Sequence, residues 1–189
     1  MSTCNPITTG LSLANCNRAI GGVDTVYIAL TSNVGSVGTT GSIGATSASG
    51  AIQVNSITMI GSTKFYKFEL ERELSNYTNP LVANNPNSTA YFDEILTLIF
   101  NNPDALVYNQ ISILSKNAIT AVCKLRNGQW VILGSENGGL LANGGPAESG
   151  VAAGDANRRS IQFRGFNDNP AKHLNATAQA LFTSGSIVG

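Results

Sequence analysis

The chain has 189 residues, 42% of them hydrophobic, which suffices for one globular domain with a real core and is short for two. Eleven Lys and Arg balance eleven Asp and Glu, and a zero net charge without a basic run excludes a dedicated nucleic-acid binder, which needs cations to neutralise phosphates. No apolar run approaches the roughly 20 residues of a membrane-spanning helix.

Charged residues make up only 12% of the chain, against about 25% in ordinary soluble proteins. Ser, Thr, Asn and Gly must cover the surface instead. Such a surface lacks one device that keeps proteins apart and suits a protein buried in an assembly. The first residues have neither a basic nor an apolar region, so no signal peptide is expected and synthesis in a cytoplasm is.

Residues 1–22 are polar, contain glycine and are expected as an extended N-terminal arm. Residues 23–30, VDTVYIAL, read as a strand rich in β-branched and aromatic residues. Residues 31–50 carry no charge, aromatic or proline and read as a flexible Gly/Ser/Thr loop. Two versions of that loop stand: a mobile surface segment, or one that orders against a neighbouring subunit. Residues 51–60 read as a strand.

Residues 64–74 show the clearest alternation. Tyr66, Phe68, Leu70 and Leu74 share one face, and Lys67, Glu69, Glu71 and Glu73 the other. Residues 75–88 are rich in Asn and Pro and read as a hairpin loop. Residues 89–100 fit either strand or helix, with strand favoured by composition. Antiparallel pairing of 64–74 with 89–100 is expected to give an extended hairpin.

A helix should follow. Asn102 can cap it, Pro103 fits the first helical position and Asp104 suits the positive dipole end. Val107, Ile111 and Leu114 then line one face, and Lys116 and Asn117 close the last turn. Residues 119–125 and 130–133 flank Asn127-Gly128, a pair that favours a tight type I′ hairpin. Residues 160–166 are the last clear strand, with one short helical turn expected near 176–182. The expected fold is a mainly β single domain, a sandwich or barrel with one flanking helix and long loops.

Catalytic chemistry finds few candidates. His173 stands alone in a polar loop, and a Ser or Cys nucleophile normally needs a base. The carboxylates alternate along a strand instead of converging, and no glycine segment has phosphate-loop spacing. Cys4, Cys16 and Cys123 are odd in number and have no CxxC pair, so no metal site is expected. Three free thiols are favoured, with a Cys4–Cys16 bridge the alternative. Cys123 shares a strand face with Ile119, Ala121 and Leu125 and reads as a small core residue. Neither enzyme activity nor a cofactor is expected.

From residue 89 to 174 the order is strand, helix (PDALVYNQISILSKN), hairpin (ITAVCKLRNGQWVILG), Gly-rich crossover, strand (SIQFRGF) and Asn/Pro turn (NDNPAKHL). With the Arg126-Asn127-Gly128 turn before Trp130, the Gly138-Gly139-Leu140 step, Ser149-Gly150 and Gly154-Asp155, this order resembles the phage tail tube proteins, especially those of Bacteroidetes hosts. Cys16 followed by Gly21-Gly22 and a strand resembles them too.

The resemblance implies a virion structural protein that self-assembles into hexameric rings stacked as a hollow tail tube. It would be assembled in the host cytoplasm, meet other tail proteins and let DNA pass without specific binding or any membrane contact. On that reading the hairpin of 64–74 and 89–100 would line the lumen, with Glu69, Glu71 and Glu73 as an acidic wall that repels phosphates. The alternatives are another virion component (a tail terminator, a decoration or a fibre-associated protein), or a β-barrel module that binds a ligand or carbohydrate.

Overall fold

Strand-forming runs dominate the chain, and the computed structural model, which describes residues 21–41, 51–71, 73–101, 103–152 and 154–189, arranges them as a mainly β domain. In order come β1 (Val23–Leu30), β2 (Val34–Thr40), β3 (Gln53–Met59), β4 (Tyr66–Glu69), β5 (Asn76–Thr78), β6 (Leu81–Asn84) and β7 (Thr89–Asn101). Helix α1 (Ala105–Leu114) leads to β8 (Ile119–Leu125), β9 (Trp130–Leu133), β10 (Leu141–Ala142), β11 (Ala147–Glu148), β12 (Arg158–Asn167), β13 (Lys172–His173) and helix α2 (Ala176–Thr183). The Cys4 and Cys16 thiols, the expected arm before Gly21, residues 42–50 and the Asn102 cap lie outside the described residues.

The first sheet runs β13-β9-β8-β1-β4, with antiparallel neighbours throughout. The second runs β10-β12-β7-β5, with β11 beside β12 and β6 beside β7. β2 and β3 form a hairpin of their own.

The first sheet is covered on both faces. Val26, Ile28, Ala121, Cys123 and Val131 pack against Leu96, Leu98, Ile161 and Phe163 of the second sheet, with Ile111 and Leu114 of α1 closing that core. On its other face Tyr27, Val122, Trp130 and Ile132 meet Val54 and Ile57 of β3 and Ala178 and Phe182 of α2. Tyr27 stacks on Trp130 at 5.6 Å between ring centres, and Phe182 lies 5.0 Å from Tyr27. Helix α2 is therefore a full second helix, begun by the Asn175 side chain accepting from Ala178 N–H at 3.0 Å. Only a single turn is legible in its sequence.

Four further sequence expectations change here. Residues 34–40 form β2, paired with β3 as far as Thr40↔Gln53. The 75–88 segment is a hairpin loop only at 85–88, because its earlier residues supply β5 and β6 to the edge of β7. The extended hairpin does not form: β4 pairs with β1, while β7 makes a ten-residue ladder with β12 from Asn101↔Arg158 to Phe92↔Asn167.

The fourth concerns the Asn127-Gly128 turn. Leu125 opposes Gln129, leaving a three-residue loop, and Gly128 N–H donates to the Leu125 carbonyl at 2.9 Å. Gly128 takes φ +86° and is the left-handed residue of the loop, while Asn127 is not among the positive-φ residues. This is the turn-plus-bulge alternative to type I′. The Asn127 carboxamide oxygen instead accepts from Gln129 N–H at 3.0 Å.

Candidate assembly surface

α1 begins two residues later than its sequence suggests. Asp104 is the cap, accepting from Val107 N–H at 2.9 Å, and Pro103 precedes it. Ile111 and Leu114 are buried and Val107 half-buried, as the spacing predicts. Two further apolar positions are exposed: Leu106 at 64% and Ile113 at 53%. With Gln110 they form an i, i+4, i+7 stripe that no described residue covers. Fully covering one such side chain is worth about 1.5–3 kcal/mol.

That stripe faces β4. A cleft of about 540 Å³ is lined by Leu30, Tyr66, Phe68, Gln110 and Ile113, among others. A smaller apolar hollow of about 200 Å³ continues it between Phe68, Phe100 and Leu106. Phe68 meets Phe100 edge-on at 6.4 Å, and Tyr66 is 61% exposed.

β4 is also the last strand of its sheet. At its start Phe65 N–H donates to the Ile187 carbonyl at 2.8 Å, and Gly189 N–H to the Phe65 carbonyl at 2.9 Å. These bonds lie on the edge away from β1. Successive strand residues alternate their backbone polar groups between the two edges. Lys67 and Glu69 therefore turn N–H and C=O outward, while Leu70 N–H turns inward to the Asp24 carbonyl. Among the described residues none pairs with that outer edge beyond Phe65.

The three glutamates have separate surroundings. Glu69 ends β4 and pairs with Lys67 at 2.6 Å, a contact that raises the Lys67 pKa. Glu71 lies past the strand and accepts from the Asn101 side chain at 2.5 Å. Glu73 sits in a turn with φ +64°. The strand ends at Glu69 and Glu73 lies in a left-handed turn, so the three do not line one strand, and the sequence basis for an acidic wall goes with it.

A different carboxylate lies inside. Glu94 of β7 is only 2% exposed and accepts from Gly134 N–H at 2.7 Å. Burial raises its pKa, against the Gly134 and Asn167 hydrogen bonds that lower it. The bond ties the second sheet to the turn after β9, where a Cβ on Gly134 would sit 2.8 Å from the Ile119 carbonyl oxygen. On the outer face Asp93 is buried beneath Arg164, which donates to both its oxygens at 2.8 and 2.7 Å and lies over Phe166. The sequence assigns no role to Asp93 or Glu94. Their adjacency within an apolar run was the available signal.

Cys123 is buried in the main core, and burial pushes its thiol pKa up. His173 is exposed on β13 opposite Val131. Among the described residues no group of three His, Cys, Asp or Glu could hold a metal, and no helix is long and apolar enough to cross a membrane. No protein-family model, curated protein or solved structure matches the chain at a significant level.

Proposed function

We propose that this chain is a structural subunit that works by assembling with copies of itself, and that its specific role is a phage tail tube subunit whose hexameric rings stack into a conduit for DNA. One observation carries the self-assembly reading: among the described residues an open sheet edge, β4, lies beside an uncovered helix stripe of Leu106, Gln110 and Ile113. Unpaired strand edges template pairing with another chain, and apolar surface beside them adds the driving force. The low charge of the chain points the same way.

The tube role rests on the resemblance in element order and turn residues. The acidic wall is no part of the proposal, since Glu69, Glu71 and Glu73 do not line one strand. Negative-stain electron microscopy of concentrated protein tests both levels. Stacked rings or hollow tubes are expected. Rings that never stack would favour a terminator-like virion component, and monomers at every concentration would remove the self-assembly reading.

A further inference from the structure

Charges on an edge strand ordinarily discourage pairing. On β4 they are opposite in sign and two residues apart, Lys67 and Glu69, and both residues aim their backbone polar groups outward. Such a strand is complementary to itself in one antiparallel register. We propose that the open edge of β4 receives β4 of a second copy, antiparallel and centred on Phe68.

In that register Lys67 opposes Glu69 of the second copy, and Glu69 opposes its Lys67. Both are hydrogen-bonded positions, which matches the outward N–H and C=O groups. Phe68 opposes Phe68 at the intervening position, where facing side chains approach more closely. Centring the pair one residue earlier sets Lys67 against Lys67, and one residue later sets Glu69 against Glu69. Like charges directly opposite destabilise a strand pair. The 187–189 segment beside Phe65 already occupies the edge there, which confines the new ladder to residues 67–69.

The two-fold axis of this contact stands perpendicular to the sheet. It therefore puts both α1 helices on the same face of the joined sheet, with the Leu106–Ile113 stripes flanking the paired Phe68 rings. A two-fold contact closes after two copies. It thus sets the state of the protein before larger assembly and leaves ring contacts to other surfaces. This inference rests on the self-assembly reading and specifies one of its contacts.

Sedimentation of the full chain with two charge reversals, Lys67→Glu and Glu69→Lys, tests it. Each variant alone faces like with like at both pairs, so its dimer dissociation constant should rise about ten-fold or more over the native protein. An equimolar mixture should recover native affinity as a 1:1 heterodimer, because each strand then opposes its complement. That recovery also shows that both variants are folded. Single variants that dimerise like the native protein, or a mixture that gains nothing, would overturn the pairing. If rings or tubes still form in that case, the self-assembly reading survives without it. A native chain that is monomeric throughout overturns both.

Discussion

β8 and β4 flank the same strand, β1, and could hardly differ more. β8 has a paired neighbour on each side and core on each face; its first five residues are buried. Among the described residues β4 has one neighbouring strand and an open edge, with three of its four positions exposed. Position in the sheet made this difference. A central strand spends its backbone groups and side chains on stability, whereas an edge strand retains both for a partner. The physical consequence is a separation: substitutions at the centre should act on folding, and those at the edge on association.

The largest expected effect tests the centre. Leu133→Ala in β9 removes a fully buried side chain and should lower unfolding stability by about 2–5 kcal/mol, read from the denaturant midpoint. The size of the assembled particles should not change while the protein stays folded.

Asp104→Ala is smaller and sits at the border between the two regions. Losing the α1 cap should cost about 1 kcal/mol, measured by thermal unfolding. Because α1 carries the apolar stripe, the same variant should also weaken assembly in proportion.

Glu94 sharpens the central half through pH. Its pKa is raised in the fold from an ordinary 4.5, mainly by burial. The folded state therefore favours the protonated form. Its contribution is fully present below the ordinary carboxylate range and is lost as pH rises through the raised value. Stability should fall across that window, and Glu94→Gln should flatten the fall in a pH series of urea melts.

Ile113→Glu gives the smallest effect on folding, within about 0.5 kcal/mol as expected for a surface site. It should nonetheless weaken self-association at the β4 edge, read as a raised dimer dissociation constant in sedimentation. Normal assembly by this variant, or a large loss of stability, would break the distinction between centre and edge.

Much of the centre was legible in the sequence. Period-two alternation placed Ile119, Ala121 and Cys123 on one face of β8, and all three enter the same core. The spacing of Val107, Ile111 and Leu114 gave the buried face of α1. Of the candidate surface, the sequence showed the Lys67 and Glu69 alternation but extended it through Glu73. The turn at Glu73 lies in backbone geometry that a run of charged residues does not announce. The exposed stripe of α1 was equally hidden, since Leu106 and Ile113 read as ordinary helix apolar residues until the packing left them uncovered.

What the chain determines locally is which residues favour extended or helical backbone, and which side of each element is apolar. Those preferences rest on side-chain shape and solvation within a few residues. Strand partnership is different, because backbone groups are chemically alike on every strand. Only the folded chain decided that β4 would pair with β1 and β7 with β12, and that residues 34–40, with two glycines among seven, would become a strand against β3. The packing of both cores against the first sheet selected among pairings that the sequence left equivalent, and in doing so left β4 at the edge.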